Sequence, residues 1–173
     1  MRIAVMSDSH GDETNLRWLL EQLWKKTGKI DVYLHMGDGV NDLWRLEQFI
    51  RRHDPGCAMC AVKGNNDYGT DDPEMRVVCY GNVQFFMTHG HRYHVKESYM
   101  YLDYAARERG CKVALFGHTH CPAMEQGEIL LLNPGSVSLP KENTPHSYMV
   151  LENGTVEWKH VENGEVFKRA EIG

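Results

Sequence analysis

The stretch Leu34-His35-Met36-Gly37-Asp38 closes an apolar run from Val32 and places a carboxylate where a strand gives way to a glycine-flanked loop. In an open α/β sheet, ligands bind at the carboxyl ends of the strands. The pattern therefore predicts that Asp38 is presented to a ligand at that edge and is not buried. A helix-capping role is the alternative, because aspartate after a strand often caps the next helix.

Four further predicted strands also end in side chains that bind metal ions. They are followed by Asp8-Ser9-His10, Asn65-Asn66-Asp67, His89-Gly90-His91 and His118-Thr119-His120. Taken singly, each motif can be explained without a metal ion, since a single histidine is often structural and an asparagine after glycine often forms a turn. Their recurrence at five strand ends favours a shared metal site. The predicted ligands are Asp8, His10, Asp38, Asn65, His89, His118 and His120.

These predicted ligands are two carboxylates, four imidazoles and one amide, with no thiolate among them. The set is too large for one tetrahedral ion and suits two ions that share a carboxylate. Two dications about 3.5–4 Å apart can hold the attacking and leaving oxygens of phosphoryl transfer. Two dications less two carboxylates leave a positive site, which would attract a small phosphate-ester substrate. The mechanistic hypothesis is in-line attack by a metal-bridging hydroxide.

Apolar patterning predicts alternating strands and helices in the first two thirds of the chain. The predicted strands are Arg2–Met6, Val32–Met36, Ala58–Val62, Met75–Tyr80, Val83–Met87 and Val113–Phe116. The predicted helices cover residues 16–24, 40–50 and 97–109. Right-handed crossovers would make the first three strands parallel, and Gly81-Asn82 would turn a hairpin.

The last third carries only short alternating runs, which predict a β meander. These runs are residues 128–132, 147–151, 156–160 and 166–170. Helices around a mixed sheet, followed by strands that need a second sheet, predict an α/β (α+β) fold. The expected architecture is a four-layer α-β-β-α sandwich of two mixed sheets flanked by helices. The 173 residues predict one domain, 1–173.

Composition narrows the functional classes. A net charge of −5 argues against bulk nucleic-acid binding, because that affinity comes from lysine and arginine. No signal peptide or membrane span is recognised, and the odd number of cysteines fits a reducing compartment, so a cytoplasmic protein is expected. Cys57 and Cys60 form one isolated C-x-x-C pair, which is interpreted as structural. Exposed strand edges, or Tyr99 and Tyr101, could serve a homodimer.

The ordered motifs resemble the calcineurin-like metallophosphoesterases over nearly the whole chain, and in length the small single-domain phosphodiesterases of the YfcE type. Asn133-Pro134-Gly135-Ser136 also resembles a loop of that subgroup. The resemblance implies one ion held by Asp8, His10, Asp38 and His120. It implies a second ion held by Asp38, Asn65, His89 and His118, with Asp38 as the bridge. Mn²⁺ is favoured, while Fe, Ni²⁺ and Zn²⁺ also suit these ligands.

The chain departs from the family at Asn66, where many members carry a histidine that acts on the leaving oxygen. An amide can hydrogen-bond to phosphate but cannot act as a general acid. Diesters with acidic leaving groups, such as aryl esters, are therefore expected to be preferred over alkyl monoesters. His91 is a candidate substitute acid or support for a ligand, and Asp67 is expected to orient the Asn65-Asn66 turn.

Three alternative functions follow from the same motifs. A phosphomonoesterase or a nuclease would use the same centre, although no basic stripe favours a nuclease. A non-catalytic metal-binding scaffold, like the retromer subunit that resembles this family, would keep the fold without turnover. Arg92 and Lys141 are candidate phosphate contacts in any of the enzymatic cases.

Overall fold

The structure is a computed structural model that describes residues 1–172. Its first sheet is built around the buried strand β1, Arg2–Met6, which pairs in parallel with β2, Val32–His35. β2 pairs in parallel with β3, Ala58–Ala61, at one edge. On the other side of β1, three antiparallel strands follow in space: β9, Ser147–Glu152; β10, Thr155–His160; and β11, Val166–Glu171.

The second sheet has five strands. β4, Met75–Tyr80, and β5, Val83–Thr88, form the predicted antiparallel hairpin. β5 then pairs in parallel with β6, Val113–Leu115, which pairs in parallel with β8, Leu130–Pro134. The remaining strand, β7, Pro122–Gln126, is antiparallel to β8 at the edge.

Helices cover the outer face of each sheet. α1, Glu13–Thr27, α2, Val40–Arg45, and α3, Glu47–His53, share one buried apolar cluster with the first sheet. α4, Met100–Glu108, packs on the second sheet. A third cluster joins the facing sides of the two sheets, including Val5, Leu34 and Leu115. The predicted four-layer α-β-β-α sandwich is therefore confirmed.

The structure corrects two of the predicted helices. The helix predicted over residues 40–50 is divided at Leu46, which has φ −90° and ψ 3°. Apolar spacing did not reveal this break, because Leu43, Leu46 and Ile50 point into the same core on both sides of it. The helix predicted from residue 97 begins at Met100.

No helix in the part of the chain that the structure describes is long and apolar enough to cross a membrane.

The predicted meander over the last third is wrong for its first strand. β8 belongs to the second sheet and is parallel to β6, whereas β9, β10 and β11 do form a meander in the first sheet. Strand β7 was not predicted at all. It starts with Pro122, which is tolerated as the first residue of an edge strand but removes the usual alternating pattern.

Candidate metal centre

The strand ends of the two sheets bring six of the seven predicted ligands into two groups. The first group is Asp8, His10 and His120, and the second group is Asp38, His89 and His118. Within each group, one ligand atom per residue lies within 4.8 Å of the others. Both groups are built from the loops that follow parallel strands of facing sheets, as the position of the motifs predicts.

The backbone at these positions has an uncommon conformation. Five of the six residues have positive φ angles, between 50° and 67°, and they are Asp8, His10, Asp38, His118 and His120. Positive φ in non-glycine residues costs roughly 1–3 kcal/mol each and concentrates at functional sites. Packing of the surrounding strands must therefore hold these loops in place to aim the side chains.

In the first group, Asp8 provides the buried carboxylate. Its Oδ1 atom lies 3.2 Å from His120 Nε2 and 3.6 Å from His10 Nε2. The other oxygen, Oδ2, accepts hydrogen bonds from Ser7 Oγ at 2.6 Å and from the backbone N–H of His118 at 3.1 Å. Asp8 Oδ1 is buried without a hydrogen bond of good geometry, so its lone pairs face the histidines.

In the second group, Asp38 faces histidines of both groups. Its Oδ2 atom lies 3.4 Å from His89 Nε2 and 3.8 Å from His10 Nε2. His118 Nδ1 lies 3.2 Å from His89 Nε2. Asp8 also approaches the second group, since its Oδ1 is 4.0 Å from His89 Nε2. The two groups are thus adjacent, and carboxylates lie between them.

Backbone carbonyls determine which nitrogen of two histidines is available. His89 Nδ1 lies 2.7 Å from the carbonyl oxygen of Met36, and His120 Nδ1 lies 2.6 Å from that of Leu139. A carbonyl oxygen only accepts, so each Nδ1 carries the proton and donates it. In the neutral rings, Nε2 then keeps a lone pair directed at the carboxylates, which is the usual arrangement of metal-binding histidines.

The pKa values reflect this crowding of charge. Burial alone would raise the pKa of Asp8, but contacts from His10 and His120 and the charge of His89 hold it well below its usual value. The pKa of Asp38 is likewise lowered, because contact with His89 and two hydrogen bonds from Asn66 outweigh burial. Burial and the neighbouring His89 lower the pKa of His118 to about 4. Both carboxylates are therefore ionised at neutral pH.

The prediction that Asp38 is presented and not buried is wrong, since only 2% of its surface is exposed. The loop after β3 covers it. Asn66 donates its backbone N–H to Asp38 Oδ1 at 2.8 Å and its side-chain amide to Oδ2 at 2.7 Å. Gly64 lies so close that a Cβ atom there would overlap the Asp38 carboxylate. Polar neighbours at a crowded loop junction thus enclose the side chain.

Asp67 is predicted to orient only the Asn65-Asn66 turn, but in the structure it holds a larger part of the site. Its carboxylate accepts four backbone N–H groups at 2.7–3.1 Å, from Asp38, Gly39, Val40 and Gly64. It therefore ties the loop after β2 to the loop after β3. Asn65 is exposed, and within residues 1–172 its side chain makes no hydrogen bond. Its place as a ligand stays a prediction.

A second buried network, which the sequence did not reveal, supports the first loop. Ser9 Oγ donates to Asp42 Oδ2 at 2.6 Å, and the backbone N–H of Gly11 donates to the same oxygen at 2.9 Å. His35 Nε2 lies 3.2 Å from Ser9 Oγ, while its Nδ1 accepts from the N–H of Gly37 at 3.1 Å. His35 thus supports the site from within the core.

The Asn133–Ser136 loop also positions the centre. Ser136 Oγ donates to the carbonyl oxygen of Asp8 at 2.8 Å, and Asn133 Nδ2 donates to that of Gly117 at 2.9 Å. Both contacts hold loops that carry members of the two groups. The short motif at the end of β8 therefore has a structural reason to accompany the two groups.

The remaining predicted residues lie at different distances from the centre. The ring of His91 lies 5.5 Å from that of His89 and 6.1 Å from that of His118, between centroids, and its Nδ1 is buried without a hydrogen bond. Arg92 pairs with Glu74 at 2.8 Å. Lys141 lines a separate cavity with Lys96 and Thr119. All five cysteines are free.

Comparison with known proteins identifies the family. A profile described as the Calcineurin-like phosphoesterase superfamily domain matches residues 1–155. The chain belongs to the calcineurin-like phosphoesterase superfamily. A probable metallophosphoesterase of Bacillus subtilis, YsnB, is 32% identical over 153 residues, which cover 87% of this chain and 83% of the relative. The resemblance inferred from the motifs is thereby confirmed.

Two further similar proteins are informative. Phosphodiesterase YfcE of Escherichia coli is 37% identical over 102 residues, covering 54% of this chain and 52% of the relative. Its crystal structure covers both chains completely, with a TM-score of 0.74 and 24% identity. Vps29 of Entamoeba histolytica, crystallised with Zn²⁺, also covers both chains, with a TM-score of 0.75 and 23% identity. The two structural matches show the fold alone.

Family membership makes this chain a metal-dependent phosphoester hydrolase, and the two groups are suited to divalent ions. The fit rests on the local chemistry: an unbonded buried oxygen on Asp8, and Nε2 lone pairs on His89 and His120 directed at carboxylates. Nitrogen and oxygen donors of this kind bind first-row divalent ions.

Binding of ions at these groups is expected to stabilise the phosphoesterase. At a free concentration of 100 times Kd, one site adds about 2.7 kcal/mol, which corresponds to a rise in Tm of roughly 5–10 °C for a chain of this length. Differential scanning fluorimetry of metal-stripped protein with and without Mn²⁺ measures this shift. An unchanged Tm in protein shown by elemental analysis to hold metal would contradict the assignment of the two groups.

Proposed function

We propose that this metal-dependent phosphoesterase is a phosphodiesterase with a dinuclear centre that acts on small phosphodiesters. The first group would hold one ion, and the second group, joined by Asn65, would hold the other, with Asp38 shared. The observation that carries the proposal is the place of Asp38 Oδ2, 3.4 Å from a histidine of one group and 3.8 Å from a histidine of the other. Mn²⁺ is the favoured ion.

The chain's own residues prepare the centre in three ways. Met36 and Leu139 carbonyls fix the tautomers of His89 and His120. Asp67 holds the backbone of Asp38, and Asn66 holds its carboxylate. The chemistry supplied by bound divalent ions would be activation of water for in-line attack on phosphorus and neutralisation of charge on the phosphate.

The leaving group departs without a strong acid at position 66. Asn66 donates its amide to Asp38 and carries no ionisable proton. A positioned general acid contributes about 10²–10⁴ in rate, chiefly when the leaving alcohol is a poor one. A preference for acidic leaving groups follows, since phenolates depart readily from aryl esters, whereas alkoxides depart poorly from alkyl esters without an acid.

We therefore expect the metal-loaded protein to hydrolyse bis-(p-nitrophenyl) phosphate at least about a hundredfold faster than alkyl monophosphates. Initial rates at saturating substrate test this directly, with p-nitrophenyl phosphate as a monoester that has the same leaving group. Comparable turnover of unactivated alkyl monophosphates would contradict the proposal. If that turnover disappeared in His91→Gln, His91 would be the acid in place of residue 66.

A further inference from the structure

The two groups open into a cleft of about 330 Å³ on the side of α2. Four of its lining residues, His10, Asp38, Asn66 and Asp67, belong to the centre or contact it. The rest of the wall comes from Gly11, Gly39, α2 and the loop after β3. The side chains there that the proposed chemistry does not use are Asn41, Arg45 and Tyr68.

Tyr68 is the most exposed of the large hydrophobic side chains, at 81%. Its backbone follows Asp67, which is fixed by four hydrogen bonds to the loops around Asp38. The ring is thus attached to a rigid part of the centre, yet its hydroxyl makes no hydrogen bond among residues 1–172. A free aromatic face beside a reactive centre is suited to stacking on a planar group.

Arg45 provides positive charge in the same cleft. It is the one lysine or arginine among the residues that line it. Its side chain is 64% exposed, and its nearest carboxylate oxygen, Asp42 Oδ1, lies 3.9 Å away. That distance is too long for a hydrogen bond. The guanidinium therefore keeps donors free for an anion, and Asp42 remains engaged with Ser9 and Gly11.

From this arrangement we propose that Tyr68 and Arg45 form a specificity subsite for phosphodiesters that carry a planar aromatic substituent. Tyr68 stacks on the ring of the substituent, and Arg45 binds a non-bridging phosphate oxygen. The proposal rests on the proposed function, because it places the phosphate at the two groups. It adds the class of substrate, an aryl or nucleobase-bearing ester, to the chemistry of the centre.

Binding of phosphonates separates the two contributions without any turnover. We would titrate Mn²⁺-loaded protein calorimetrically with phenylphosphonate and with methylphosphonate. Both ligands have the same phosphonate group, which carries a phenyl ring in the first and a methyl group in the second. Wild-type protein is expected to bind phenylphosphonate about tenfold more tightly. Tyr68→Ala should abolish this preference, Tyr68→Phe should keep it, and Arg45→Gln should weaken both ligands about equally. Tyr104→Ala, which changes an exposed tyrosine on α4, is the matched control.

Equal binding of the two phosphonates by wild-type protein, or a preference that survives Tyr68→Ala, would overturn the subsite. If bis-(p-nitrophenyl) phosphate is still hydrolysed in that case, the proposed function stands and only the subsite fails. A ring preference that Tyr68→Ala abolishes, in a protein without turnover, would support the subsite and refute the catalytic proposal. Absence of both binding and turnover would refute both.

Discussion

Replacing Asp38 by asparagine is expected to lower the turnover of bis-(p-nitrophenyl) phosphate by about a thousandfold or more. The carboxylate of Asp38 faces His89 of one group and His10 of the other, so its charge serves both. An amide of the same shape keeps the packing but removes the negative charge that two adjacent cations need. The expected loss is about 4 kcal/mol of transition-state stabilisation.

The matched control for this variant is Asp71→Asn, because Asp71 is exposed and lies outside both groups. Rates with excess Mn²⁺ and circular dichroism of each variant separate a lost site from a lost fold. Turnover of folded Asp38→Asn within tenfold of wild type would show that Asp38 is not shared between two ions.

Asp67→Ala is expected to lower the free energy of unfolding by about 2–4 kcal/mol, because four backbone N–H groups lose their acceptor. For a chain of this length, the corresponding fall in Tm is roughly 5–15 °C. The loops that carry Asp38 and Gly64 would also lose the carboxylate that accepts hydrogen bonds from both of them. We expect metal affinity to fall about 10- to 100-fold, as when other supports of a ligand are removed.

Thermal melts and metal titration of Asp67→Ala, beside Asp67→Asn and Asp71→Ala, test this role. Asp67→Asn keeps one acceptor oxygen and should have an intermediate effect, while Asp71→Ala should change little. If Asp67→Ala lost activity with unchanged Tm and metal affinity, Asp67 would act on the substrate and not on the loops.

The site was more predictable than the topology, for a physical reason. Metal-binding side chains such as Asp8, Asp38 and His89 follow short apolar runs, and parallel strands end at one edge of a sheet. Local sequence therefore located the residues that form the two groups. It did not assign β8 to a sheet, since a buried run such as Leu130–Leu132 can pair with either neighbour.

Other features of the site depend on contacts between distant segments, which local patterns do not show. The enclosure of Asp38 arises from Asn66 and Gly64, 28 and 26 residues further along the chain. The Ser9–Asp42 hydrogen bond spans 33 residues. Tyr68 lies in the loop after β3 and Arg45 at the end of α2, and both line the same cleft. Arg92 and Lys141 are the predicted phosphate contacts, whereas the cleft beside the centre contains Arg45.

A non-catalytic metal-binding scaffold would keep the same fold. A scaffold would keep its partner affinity in His118→Ala, whereas a phosphodiesterase would lose turnover in the same variant. The nearly complete set of nitrogen and oxygen donors in the two groups favours the enzyme.

The measurement that tests the account most directly is turnover of bis-(p-nitrophenyl) phosphate by metal-stripped protein as Mn²⁺ is added back. We predict that activity is absent without metal and reaches its plateau at two ions per chain. Elemental analysis of the same samples measures the number of bound ions. Protein that binds two ions per chain and does not hydrolyse this activated diester would contradict the assignment as a phosphodiesterase.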